Sequence, residues 1–329
     1  MRNFAACLWL LSGTGLLSAC TEISTASHPE TGETQAELTA PAKPSGQTFE
    51  RTEATTFNDV LMEYQAANER LARVAAPLRL KNAGLCPQTW RDPGFSIHRL
   101  EDYPVALQNV AETMLGIKSD GIYVRAVRPE SSAAQARISP GDQILAVNEN
   151  AINPKPLMES YNRAVFRNGF ESVLSKIKIR TPESREFVAR IRPETVCDIP
   201  SKLIFSEDVN GHTDGQQVFI TSALIRDVPD DTNLALVIAH EMAHVIADHM
   251  KRPPSQDLEL EADRMALVLM ARAGYDINSA VAYWKSAAHP HDGGHVSESS
   301  HPSTRARYQN FKKELDRIRK IGAIEDLEF

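Results

Sequence analysis

The sequence predicts an α+β protein in which a mainly helical C-terminal domain with a small β-sheet edge follows a small β-sandwich or barrel. Three observations carry this expectation. Apolar residues recur at steps of three and four in the stretches on either side of residues 113–195. Within 113–195 the pattern changes to short β-branched runs punctuated by Pro and Gly. Residues 20–56 contain almost no large apolar side chain and cannot build a core of their own.

The N-terminus reads as an address. Arg2 precedes an apolar run from Phe4 to Leu17, which ends in Leu17-Ser18-Ala19-Cys20. Such a run is short for a bilayer-spanning helix, and the small residues before Cys20 suit a cleavage site, so residues 1–19 are expected to be a removed export signal. The Leu-Ser-Ala-Cys string resembles the lipobox of bacterial lipoproteins, which implies a lipid on Cys20 and membrane contact through that anchor. Thr21 in the following position is similar to lipoproteins of the Gram-negative outer membrane and implies a periplasm-facing site there. With Cys7 in the signal and Cys20 lipidated, Cys86 and Cys197 are left in a compartment that permits a disulfide between them. Residues 20–56, rich in Thr, Glu, Ser, Ala and Pro, read as a disordered tether.

The formal net charge is -7, and no basic cluster interrupts it, which argues against nucleic acid as a partner. Residues 57–112 read as a helical N-terminal segment. Phe57, Leu61, Tyr64, Leu71, Val74 and Leu78 mark one face of a long helix to about Leu80, and a second helix is expected over Val105–Leu115.

In residues 113–195, the runs Ile122-Tyr123-Val124, Ile144-Leu145-Ala146-Val147 and Ile177-Lys178-Ile179 are expected strands. The stretch from Ser131 to Asn148, with Pro140-Gly141-Asp142 before its strand, resembles the central signature of bacterial PDZ domains. That resemblance implies a strand edge able to take up an extended peptide, with the turn at Leu115-Gly116-Ile117 receiving its end. Two positions depart from the pattern: Arg137 stands where those domains usually have Gly, and Glu149-Asn150 replaces the common Asn-Gly style of turn.

Residues 196–329 carry the chemistry. After the expected strand Val218-Phe219-Ile220-Thr221, Asp230 or Asp231 can cap a helix containing His240-Glu241-Met242-Ala243-His244. Histidines four apart lie one above the other on a helix, so both imidazoles can converge on one metal ion. Zinc accepts such ligands and in catalytic sites keeps a position for water, whose proton Glu241 is placed to take. A second helix from about Ser255 to Ala273 offers Glu259, Glu261 and Asp263 as a third ligand if it packs antiparallel, and spacing alone does not choose among them.

The HExxH helix followed by Glu-x-x-Ala-Asp looks like the gluzincin metalloproteases of the HtpX, Oma and CAAX prenyl-protease group. Without multiple membrane spans, the chain looks closer to the soluble periplasmic BepA type. The resemblance implies a zincin-type metalloprotease domain with one Zn2+ per chain held by His240, His244 and Glu259. It implies Glu241 as general base and Asp263 as the carboxylate that orients a zinc-binding histidine. Ser300-His301-Pro302-Ser303 looks like the family's element before its last helix, which leaves His301 either a catalytic residue facing the metal's open position or a structural residue at the helix entry. His249 reads as a packing or capping residue, and His289, His291 and His295 as a solvated loop.

The expected partners are unfolded polypeptides, lying extended along the Phe219 strand. A quality-control role on misassembled envelope proteins is what the resemblance implies. The rival reading is a catalytically latent holdase or adaptor with a structural zinc, and the residues leave the oligomeric state open.

Overall fold

The computed structural model describes residues 56–153, 165–228, 230–286, 302–327 and 329. Cys20, His289, His291, His295 and His301 lie outside the described residues. Helix α1 (Phe57–Lys81) starts at a capping box, the Thr56 hydroxyl accepting from the Asp59 N–H while the Asp59 carboxylate accepts from Thr56. Then follow β1 (Thr89–Asp92), β2 (Phe95–His98), α2 (Val105–Leu115), β3 (Tyr123–Val127), α3 (Ser132–Gln135), β4 (Gln143–Val147) and β5 (Asn150–Ala151). After a helical segment over 165–169 (α4) come β6 (Ser175–Arg180), β7 (Glu186–Ile191), β8 (Glu194–Cys197), β9 (Ser201–Ile204), β10 (Gly211–Thr213) and β11 (Val218–Thr221). The remainder is helical: α5 (Ser222–Asp227), α6 (Asp231–Ile246), α7 (Gln256–Arg272), α8 (Ile277–Ser286) and α9 (Thr304–Ile321). None of the described helices is long and apolar enough to cross a membrane.

Two separate hydrophobic cores divide these elements, which is the α+β arrangement expected. The larger joins the α1 stripe Leu61, Leu71, Val74 and Leu78 to Leu234 and Ile238 of α6, Leu267 and Leu269 of α7, and Phe311 of α9. Burying each of these large side chains contributes about 1.5–3 kcal/mol, so α1 is part of the helical body. The smaller core gathers Phe95, Val124, Ile144, Phe170, Ile177, Ile179 and Ile191 inside a sheet of order β2-β3-β4-β6-β7, with β5 paired to β4.

The β-domain is therefore an insertion between α1 and the rest of the helical body. Its two ends meet where β1 pairs with β8, Thr89 opposite Cys197, and there the Cys86–Cys197 disulfide closes a loop of sequence separation 111. The domain also leans on α1: Arg125 Nη1 donates to Asn68 Oδ1 at 2.8 Å and Tyr103 Oη to Gln65 Oε1 at 3.1 Å.

Two expectations about strand edges need correction. The strand containing Ile122-Tyr123-Val124 has neighbours on both sides, and the edges of the sheet are β7 and β2, the latter beginning before residue 113. Leu115-Gly116-Ile117 is the end of α2, with Gly116 in the left-handed region (φ 66°) and Ile117 fully buried, so it does not precede the edge. In the helical body, β11 lies between β10 and parallel β9, so the Phe219 strand has no free edge; β10 carries one. Alternation of side chains places a strand's faces but is silent on which neighbour pairs with it.

The departures at Arg137 and Glu149 also find their place. Arg137 adopts φ 63°, and Asn148 and Glu149 adopt φ 46° and 72°, all in the region that glycine occupies at low cost. The Arg137 side chain is exposed. Arg137→Gly is expected to stabilise the protein by about 1 kcal/mol, the relief of left-handed strain less the entropy of glycine. Denaturant unfolding with an unchanged or lower midpoint would contradict this.

Candidate active site

Helix α6 is set by its N-cap, Asp230, whose Oδ1 accepts from the Asn233 N–H at 2.9 Å. Its inward face buries Leu234, Ala235, Ile238, Ala239 and Met242, which leaves His240, Glu241 and His244 on the side that meets α7 and β10. Ser255 caps α7 through the Leu258 N–H, and the short return after α6 brings α7 back antiparallel, with Asp263 beside His240 and Glu259 beside both histidines.

Three donor atoms converge. His240 Nε2 and His244 Nε2 are 3.1 Å apart, Glu259 Oε2 is 3.3 Å from the former and Glu259 Oε1 3.6 Å from the latter. An ion held tetrahedrally at about 2.0–2.1 Å sets ligand separations of about 3.3–3.4 Å, so this donor set fits zinc. Among the described residues, this is the one group of His, Cys, Asp and Glu side chains that could hold a metal ion.

The other two acids that the sequence offered go elsewhere. Asp263, fully buried, sits 3.0 Å from His240 Nδ1 and takes both Arg307 Nε (2.9 Å) and Arg307 Nη2 (2.5 Å). Glu261 Oε2 lies 3.4 Å from His249 Nε2 and 3.3 Å from Arg252 Nη1. Ser303 caps α9, and Asn310 Nδ2 donates to the Leu260 carbonyl at 2.7 Å, which docks α9 on α7 and delivers Arg307.

The electrostatics favour a positive charge between the imidazoles. Burial works against a charged His240, but its hydrogen bonds to Asp263 and Glu259 prevail and it is pushed up to about 9. Burial and the neighbouring His240 charge push His244 down to about 3. Burial also opposes ionisation of Asp263, yet Arg307 outweighs it and holds that carboxyl below its usual range. Glu241 is raised, by burial first and by the Glu259 charge second, against the pull of His240.

Strand β10 approaches the same helix closely. A Cβ on Gly211 would meet Val237 Cγ1 at 3.0 Å, and Val237 lies one turn before Glu241 on α6. Strand β10 therefore packs beside the face of α6 that carries Glu241.

Two residues escaped the reading of the sequence. Arg307 is one of several basic residues along α9, and nothing in their spacing singles it out. His249, expected to pack or cap, is buried but has its Nδ1 3.0 Å from His244 Nδ1. Its place directly after Asp248 at the end of the HExxH helix was the available signal.

Comparison with known proteins agrees with this geometry. Residues 209–258 and 250–315 match peptidase family M48, and residues 93–160 match the PDZ domain. The mitochondrial metalloendopeptidase OMA1 of Saccharomyces cerevisiae is 26% identical over 149 aligned positions, covering 32% of this chain and 43% of that protein. The chain thus matches less than half of that relative's length. A solved structure, the HtrA3 PDZ domain bound to a phage-derived ligand, is similar at 22% identity and TM-score 0.25, covering 33% of this chain and 90% of that one. The β10-to-α9 region that builds the site thus matches peptidase family M48, and part of the inserted β-domain before it matches the PDZ domain.

Proposed function

We propose that this protein is a zinc-dependent endopeptidase that hydrolyses peptide bonds in unfolded or misassembled proteins of a bacterial envelope. The observation that carries the reading is the triangle of His240, His244 and Glu259, with Glu241 on the same helix and no ligand role assigned to it. One zinc ion held there would supply Lewis acidity, acidifying a water and polarising the scissile carbonyl.

The chain's own residues do the rest. Asp263 accepts from His240 Nδ1, which fixes that imidazole with Nε2 toward the site, and Arg307 holds Asp263. Glu241, its carboxyl raised by burial, takes the proton of the attacking water and passes it to the leaving amine. The edge of β10 pairs with an extended substrate strand, which selects unfolded segments over folded ones. The β2 edge of the inserted domain offers a second place for an extended segment.

A lipid on Cys20 and a tether over residues 20–56 would hold this machinery on the periplasmic face of the outer membrane. The Cys86–Cys197 disulfide accords with such an oxidising compartment.

The experiment is cleavage of casein by the purified chain, as prepared, after chelation, and after zinc is restored. Chelation is expected to abolish cleavage and zinc to return it. A chain that holds one zinc and leaves casein intact points to a latent holdase instead.

A further inference from the structure

The two histidines of the site are supported differently. His240 Nδ1 faces the Asp263 carboxylate, whereas His244 Nδ1 faces another imidazole, the Nδ1 of His249 at 3.0 Å. The two rings meet edge to face, with centroids 5.0 Å apart at 78°. His249 is 3% exposed.

Continuing α6 would not produce this contact. Residue i+5 on a helix lies about 140° around the axis from residue i, on another face. Asp248 leaves the helix in the left-handed conformation (φ 56°) and opens the 3-10 turn His249–Lys251. That turn folds His249 back under the ring of His244, and the Asp248 backbone is how a residue five positions on reaches it.

The hydrogens can be placed from the partners. His244 Nε2 points at Glu259 and His240, so as a ligand atom it is bare and the ring hydrogen sits on Nδ1. Nitrogens 3.0 Å apart share one hydrogen, so His249 Nδ1 accepts it and His249 Nε2 carries its own. Glu261 Oε2 lies 3.4 Å from that nitrogen, close enough for electrostatic attraction though not an aligned hydrogen bond, and Arg252 Nη1 holds the same oxygen at 3.3 Å. The Glu261 charge at this distance favours the tautomer of His249 with its hydrogen on Nε2, the one that can accept from His244.

We propose that His249, backed by Glu261, is a positioning residue that aligns His244 for the metal, an assignment that rests on the zinc reading above. The site then has two unlike supports: a carboxylate behind one ligand and a neutral imidazole with its own carboxylate behind the other. Neither His249 nor Glu261 is among the three converging side chains.

The test is zinc affinity, by competition with a chromophoric chelator, and the visible spectrum of the cobalt-substituted protein. Both are measured on the full chain and on His249→Leu, His249→Asn and Glu261→Ala. Leucine fills the space without accepting a hydrogen bond and is expected to weaken zinc binding about 10–100-fold and to shift the cobalt bands. Asparagine Oδ1 takes the place of Nδ1 and is expected to keep affinity within about threefold and the spectrum unchanged. Glu261→Ala, at a partly exposed side chain, is expected to fold and to lose about three- to tenfold.

Equal affinities for wild type and His249→Leu, or equal losses in the Leu and Asn variants, overturn the assignment while leaving the metal site in place. If His249→Leu does not fold, undiminished zinc affinity in Glu261→Ala overturns it. A wild-type chain that takes up no zinc overturns the metal reading itself and this inference with it.

Discussion

Glu241→Gln is expected to lower peptide-bond hydrolysis by about 10²–10⁴-fold, the range for loss of a positioned general base, with zinc content unchanged. Glutamine has the same shape but cannot take a proton at this pH. Since Glu241 is not among the three converging donor atoms, its replacement leaves His240, His244 and Glu259 in place. The effect should fall on kcat, with KM little changed, since the proposed role of this side chain is proton transfer rather than holding the substrate. Steady-state cleavage with a metal assay on the same sample checks it, and wild-type turnover in the variant would move the base elsewhere.

The second large effect belongs to Asp263. This carboxylate is fully buried between His240 and the Arg307 fork. Asp263→Ala leaves the Arg307 charge buried without its carboxylate and is expected to cost about 3–5 kcal/mol of folding stability. It also frees the His240 ring, so zinc affinity should fall about 10–100-fold. The two consequences separate in the double variant Asp263→Leu/Arg307→Met, which removes both charges at once. Denaturant unfolding should recover most of the stability there, because an apolar pair can replace a buried ion pair. Chelator competition should still show the loss of affinity. Recovery of both, or of neither, would contradict the separate roles of the two partners.

Much of the candidate site was legible because its information is local. The His240–His244 spacing puts two imidazoles on one helical face whatever surrounds the helix. Of Asp230 and Asp231, both offered as the cap of α6, the structure uses Asp230, and α7 starts at the expected Ser255, which proves to be its cap. The α1 stripe and the limits of α2 follow from the same period.

What was not legible depends on partners far apart in the chain. Glu259, Glu261 and Asp263 are within five positions of one another and chemically alike, and resemblance rather than spacing favoured the first. The antiparallel packing of α7 on α6 gives each a different nitrogen: the ligand face, His249 Nε2 and His240 Nδ1. Arg307 comes from a helix 44 residues after Asp263, and only the docking of α9 reveals its pairing. The identities of the edge strands were misjudged for the same reason, since β2 and β10 are edges by virtue of which strands pair beside them.

The sequence by itself determined helices α1, α2, α6 and α7 and the HExxH pair, because each rests on contacts within a few residues. Tertiary structure decided which acid serves which imidazole, which strands lie at the sheet edges and that the β-domain is an insertion into the helical body. Those outcomes are set by long-range packing of elements whose local patterns permit several arrangements, and the burial of one shared core selects among them.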